Sequence, residues 1–311
     1  METKTGWEKA RIRLNSLSAR LEQNKTYKFL RCLMDNMAQD YVGLVAAGIA
    51  FYFLMAAFPA LAAIISLYGI FSDPNFVSDQ LNSLSPFLPQ EAFKILTDQA
   101  QALVSSRSDA LSISFLISTI FAVYSATKGM VALIQGFNIA FNERERRNLI
   151  VLKITAFLLT LVMMIYFLTA LTLIAGLPAI IHFMHIDGIV GQTILWARWP
   201  LLFCSAVIGL EILYYLGPCH TAPQWRWISW GSFAATIFWL IVSALFSLFV
   251  SNFGSYNEVY GSLSAIVLLL LWFWLSGLMI LFGAEFNATL EDKHCSSVIE
   301  DKNADKRRRP S

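Results

Sequence analysis

Six long apolar runs, with the basic residues between them kept to one side, constrain this chain more than any other feature. They fall at roughly 42–70, 110–137, 149–183, 196–217, 227–251 and 261–288. A bilayer's hydrocarbon core is about 30 Å thick, so a crossing helix needs ~20 apolar residues. Each run is long enough. Several exceed the minimum, which predicts tilt, kinks or interfacial ends. The expected fold is all-α: a polytopic membrane protein of six transmembrane helices. Hydrophobic residues make up 57% of the chain and charged residues 14%, with a mean hydropathy of +0.58. No soluble domain of 311 residues hides that much apolar surface in one core.

The formal net charge is only +2, but its placement sets an orientation. Lys and Arg accumulate in cytoplasmic segments near the membrane. The first 40 residues carry Lys4, Lys9, Arg11, Arg13, Arg20, Lys25, Lys28 and Arg31. The connection after the second run carries Arg144, Arg146 and Arg147, and the one after the fourth carries Arg226. The tail carries Lys293, Lys302, Lys306, Arg307, Arg308 and Arg309. The opposite side holds Lys94, Arg107 and Arg198, among acidic residues such as Asp73, Asp79, Glu91, Asp98 and Asp109. Six spans with both termini in the cytoplasm satisfy this pattern. Residues 1–40 lack the short apolar core of a cleavable signal, so the first span is expected to act as an uncleaved anchor.

Three segments flank or connect the spans. Residues 1–41 are expected to form a cytoplasmic segment ending in an amphipathic helix, with Leu30, Leu33, Met34, Met37 and Tyr41 at helical spacing. It lies along the inner leaflet or packs on the ends of the bundle. Residues 86–107 repeat Phe93, Leu96, Ala100, Leu103 and Val104 at helical spacing, which predicts an amphipathic external helix between spans one and two. Residues 292–311 form a polar, basic tail expected to be disordered, leaving 42–291 as the membrane domain.

Ionisable residues within spans are costly and are functional candidates by default. Lys128, Glu211, Lys153 and Glu285 converge on the cytoplasmic half. Lys128 and Glu211 pair or line a cavity together with Tyr52. Alternatively, the lysines snorkel to the headgroups and Glu285 simply ends its helix. Pro59, in a span rich in small residues, predicts a kink suited to a gate or to tight static packing. Gly176 and Pro178 suggest a break late in the third span. Asn138, Asn142 and Asn287 mark inner helix ends, where amides can act as caps.

Soluble-enzyme chemistry has little to stand on. His182 and His185 share a helix face but have only Asp187 nearby, so no metal site is expected. Cys32, Cys204, Cys219 and Cys295 form no CxxC pair and imply no disulfide framework. No phosphate-binding loop or nucleophile elbow occurs. No cofactor is expected, and no nucleic acid.

The sharpest pattern lies in the last third of the chain. It reads SNFGSYNEVYGSL at 251–263, then an apolar run with Trp272 and Trp274, then LFGAEFNATLE at 281–291. Upstream stand AAGIAFYFLMAAFP at 46–59, YSATKGMVALIQGFNIAFN at 124–142, and Tyr214-Tyr215-Leu216-Gly217-Pro218. Together these resemble the YihY/BrkB family of bacterial inner-membrane proteins, over nearly all of 40–291. The resemblance implies six spans with both termini inside. Some members carry the name ribonuclease BN, a tRNA-processing enzyme. A metal-dependent ribonuclease needs clustered His and Asp ligands in a water-accessible site, which this chain lacks, so no enzyme is expected. Asn252, Tyr256, Asn257 and Tyr260 match at the external turn between spans five and six, as structural anchors or as gate and ligand contacts.

The expected function is a transporter or channel-like protein for a lipid, an envelope precursor or a small amphipathic solute. The alternative is a non-transporting scaffold in envelope assembly; an intramembrane lipid enzyme has less support. Membrane lipid is the expected partner, with a second copy or an envelope protein as further candidates.

Overall fold

The structure is a computed structural model, and it describes residues 25–71, 108–177, 181, 188–219, 229–251 and 263–291. The segment 86–107, the turn bearing Asn252, Tyr256, Asn257 and Tyr260, all four histidines and the basic tail lie outside the described residues.

The described residues are helical, with no strand among them. Helix α1 spans Lys25–Gln39, α2 Val42–Phe71, α3 Ser108–Ala140, α4 Leu149–Leu171, α5 Ile189–Leu216, α6 Trp230–Ser251 and α7 Leu263–Glu291. Six of them, α2 to α7, are long and apolar enough to cross a membrane. Their outer faces agree. Leu44, Ile113, Ile120, Ile165, Phe167, Leu168, Leu245 and Leu248 are exposed, which suits helices that meet lipid rather than water around their circumference.

Helices α2 and α3 pack together most extensively, and α7 lies against α2, α3 and α6. The core between them holds Ala46, Ile49, Leu133, Ile134, Phe137, Leu213 and Leu281, all nearly inaccessible. Small residues allow that approach. A methyl on Gly129 would meet the Phe53 ring at 2.7 Å, and one on Gly136 would meet Leu281 at 2.6 Å. Polar tips pin the registers. Trp274 Nε1 donates to the Gly43 carbonyl at 2.9 Å, joining α7 to α2. Trp239 Nε1 donates to Ser276 Oγ at 3.0 Å, joining α6 to α7.

Two helix ends explain the chain's turns. After α3, Asn142 takes φ 53°. Its N–H donates to Ile139 O at 2.9 Å, and Glu143 N–H donates to Asn138 O at 2.8 Å. This is a Schellman motif, with Asn as the left-handed residue. Between α1 and α2, Tyr41 takes φ 49°, and its carbonyl accepts from Leu44 and Val45. One left-handed tyrosine thus closes α1 and opens α2.

Helix α2 runs on through Pro59. Helix α4 changes at Leu171 into a π-helix over Thr172–Gly176. Within that π-helix the Ile174 carbonyl accepts from Arg198 Nη1 of α5 at 3.1 Å; Pro178 lies outside the described residues. Helix α5 begins at Ile189, just after Gly188 at φ 83°, rather than at 196. Gln192 and Thr193 dilute the apolar signal there, and Arg198, expected at the span's edge, lies well inside the helix.

Candidate functional site

The ends of α3, α5 and α7 and the starts of α2, α4 and α6 meet at the end of the bundle where α1 lies. Helix α1 rests there on α7: the Phe29 and Phe286 rings pack edge to face at 5.0 Å, and Asn36 Nδ2 donates to Thr289 Oγ1 at 3.4 Å. Leu33 of α1 is buried, while Leu30 and Met34 are exposed. Cys32 on α1 is disulfide-bonded, although the cysteine spacing implied no disulfide framework; Cys204 and Cys219 are free.

The first polar cluster surrounds the start of α6. Backbone N–H groups at a helix start have no partner within the helix, and here side chains from two other spans supply them. Glu211 of α5 accepts from Ser229 N at 3.1 Å and from Ser229 Oγ at 2.5 Å. Ser229, just before the helix, accepts in turn from Ser232 N at 3.2 Å. Asn287 of α7 accepts from Gly231 N at 2.8 Å and donates to Ser229 Oγ at 2.9 Å. Glu211, Ser229, Ser232 and Asn287 are all buried. A carboxylate is electrostatically suited to the positive end of a helix. The backbones are close enough for this because a methyl on Gly231 would strike the Gly283 carbonyl, and one on Gly283 would strike the Tyr214 hydroxyl.

A second cluster ties the α3–α4 connection to the end of α5. Arg147 donates from Nε to Glu145 Oε1 at 2.8 Å and from Nη2 to Glu145 Oε2 at 2.7 Å, a bidentate pair. Its Nη2 also reaches the Gly217 carbonyl at 2.8 Å. Asn138 donates to Glu145 Oε2 at 2.9 Å and accepts from Cys219 N at 2.8 Å. The Arg147 hydrogen bonds hold the Glu145 carboxyl down at about 2. Asn148 opens α4, its side chain accepting from Val151 N at 2.8 Å.

Glu285 stands apart. Its residue is 1% exposed, yet among the described residues neither carboxylate oxygen has a hydrogen-bond donor. The side chain facing it is another acid, Asp40, at the end of α1. Burial pushes the Asp40 carboxyl above its ordinary value, and the contact with Glu285 opposes that rise.

The remaining candidates are dispersed. Lys128 lies half-buried on α3 with its ammonium 5.4 Å from the centre of the Tyr124 ring, and no ion pair joins it to Glu211 among the described residues. Tyr52 is 36% exposed beside Phe51. Lys153 is exposed in the first turn of α4, and Pro59 is half-buried. A shallow groove of about 630 Å³, lined by Ile189, Trp196, Trp199 and Pro200 among others, lies on α5 at least ~16 Å of helix rise from Glu211. Asn138 and Asn287 do bond helix ends, but those of other helices. Ser229, Ser232, Asp40 and Glu145 escaped the sequence reading. Ser229 and Ser232 ahead of an apolar run had a signal, the N-cap pattern; Asp40 had none, since its neighbour is distant in sequence.

The Virulence factor BrkB family profile matches residues 33–309. The chain is 32% identical to the ribonuclease-like protein YfkH of Bacillus subtilis over 253 residues, covering 80% of this chain and 90% of that one. It is 27% identical to a UPF0761 membrane protein of Aromatoleum aromaticum, covering 85% of this chain but 63% of that longer one. It is 24% identical to a UPF0761 membrane protein of Vibrio parahaemolyticus, covering 88% and 85% of the two chains. No solved structure matches. A membrane protein of six apolar helices, matched by this profile along most of its length, belongs to the Virulence factor BrkB family.

Proposed function

We propose that the protein is a transporter or channel-like protein of the bacterial inner membrane, with both termini in the cytoplasm. Its cargo is a lipid, an envelope precursor or a small amphipathic solute. The observation that carries this reading is Glu285, a carboxylate near the end of a membrane-crossing helix, 1% exposed and without a donor among the described residues. Burying such a group is costly, and ionisable groups in spans commonly mark solute or proton paths. The basic residues at the α1 end support the orientation. We infer a non-enzymatic role: the ribonuclease-like name belongs to YfkH, while the UPF0761 relatives are named only as membrane proteins. The scaffold reading draws on the α6 cluster, where Glu211 Oε2 joins α5 to the start of α6 through Ser229.

Reconstituted vesicles decide between them. The purified chain is placed in liposomes carrying a fluorescent short-chain phospholipid and an entrapped amphipathic dye. Transbilayer movement or release above protein-free vesicles, reduced at least tenfold by Glu285→Gln, is the expected result. Protein-free rates for both probes would favour the scaffold.

A further inference from the structure

The carboxyls of Asp40 and Glu285 meet at the elbow between α1 and α2, and what lies between them is chemically incomplete. An ionised carboxylate only accepts hydrogen bonds. Two of them face to face offer no donor, which is why both Glu285 oxygens are without a partner among the described residues while buried. Two adjacent carboxylates out of water cannot both stay ionised at low cost, and one proton supplies both the missing donor and the charge balance. We propose that Asp40 and Glu285 form a proton-binding site, holding one shared proton that fastens α1 onto the end of α7.

Among the described residues, the surroundings leave that role to the pair. Helices α2 and α6 contain no Asp, Glu, Lys or Arg. On α1, Arg31 and Asp35 lie 3.9 Å apart and are both well exposed, and Lys28 sits three turns from Asp40. On α5, Glu211 is bonded to Ser229, and the Tyr214 hydroxyl donates to Ile280 O at 2.7 Å. On α3, the Lys128 ammonium lies over Tyr124. On α7 itself, Glu291 is exposed at the helix end. With the proton present, the pair bonds α1 to α7 beside the Phe29–Phe286 and Asn36–Thr289 contacts. With it gone, two like charges repel at that same point. Raising the pH therefore loosens α1, and lowering it docks α1. The assignment does not depend on transport.

The test uses the full chain in lipid nanodiscs. Infrared pH-difference spectra should show a protonated-carboxyl stretch that survives above the ordinary carboxylate range and disappears on alkaline titration. Glu285→Gln should remove it. Amide exchange over Lys25–Gln39, corrected for intrinsic rate, should speed up at least tenfold as the wild-type site deprotonates and stay slow in Glu285→Gln. Asp40→Asn, which gives Glu285 a neutral donor, should also abolish the pH-dependent opening, and it serves where Glu285→Gln fails to fold. Identical infrared titrations in wild type and Glu285→Gln would overturn the site. So would a titration midpoint that moves when sodium replaces choline, because the ligand would then be a metal cation.

Discussion

Arg147 shows how much one side chain can hold. It binds Glu145 through two nitrogens and the Gly217 carbonyl through one of them, so the α3–α4 connection and the end of α5 are fixed together. The Glu145 carboxyl titrates at about 2 in the folded chain, below its ordinary 4.5. A group depressed in this way stabilises fully above its unfolded value and loses that contribution as pH falls toward the folded one. Glu145→Gln should therefore lower thermal stability in detergent near neutral pH, by about 2 kcal/mol for charge-assisted bonds, and the gap from wild type should close as pH drops through 4.5 toward about 2. A gap independent of pH would mean that the carboxylate's charge contributes nothing. Residues of this kind were only half legible. Arg147 was visible as a topology marker, but its partner could not be, because a salt bridge across a loop leaves no periodicity. Glu211 was visible as a charge in a span. Its role at the start of α6 depends on Ser229, which is 18 residues away, and no local pattern encodes that distance.

Helix pairs show the same limit differently. Gly231 and Gly283 lie in apolar runs where any small residue would fit the composition, yet each faces the other's backbone carbonyl. Close approach of α6 and α7 lets Asn287 reach the Gly231 N–H. Gly231→Ala should push the two helices apart, because a backbone carbonyl cannot turn aside as a flexible side chain can. Overpacking of this kind costs typically 1–3 kcal/mol, and the Asn287 bond would be lost as well. Gly43 and Gly48, with nothing within 4 Å of an added methyl, are the controls: alanine there should be neutral or slightly stabilising, since glycine is a poorer helix former. Equal melting temperatures for Gly231→Ala and Gly48→Ala would show that the contact does not limit packing. Sequence periodicity identifies a span; it does not identify which small residue meets a backbone. The break in α4 was closer to readable, because Gly176 closes the π-helix there, but the bond from Arg198 to the Ile174 carbonyl was not.

At the scale of the molecule, six apolar runs were enough to specify six crossing helices, since the bilayer fixes the length that each must have. The edges were less certain wherever polar residues continue a helix, as Gln192 and Thr193 do in α5. The structure adds a constraint that charge counting lacks. Hydrogen bonds join the ends of α3, α5 and α7 to the starts of α4 and α6, and α1 rests on the end of α7. These segments therefore share one side of the membrane. If basic residues orient the chain, that side faces the cytoplasm. Helix α5 then begins on the far side, because its 28 residues rise ~42 Å. Ala38 and Ile189 are both exposed and lie at opposite ends. In intact cells a membrane-impermeant maleimide should label Ile189→Cys above the native chain's background and leave Ala38→Cys unlabelled, and permeabilisation should expose both. The reverse pattern would invert the bundle and place the Asp40–Glu285 pair outside, where it would sample external pH. Labelling of both in intact cells would contradict the bundle itself, since α1 lies at the end of the bundle where α5 finishes and Ile189 stands at the other end of α5.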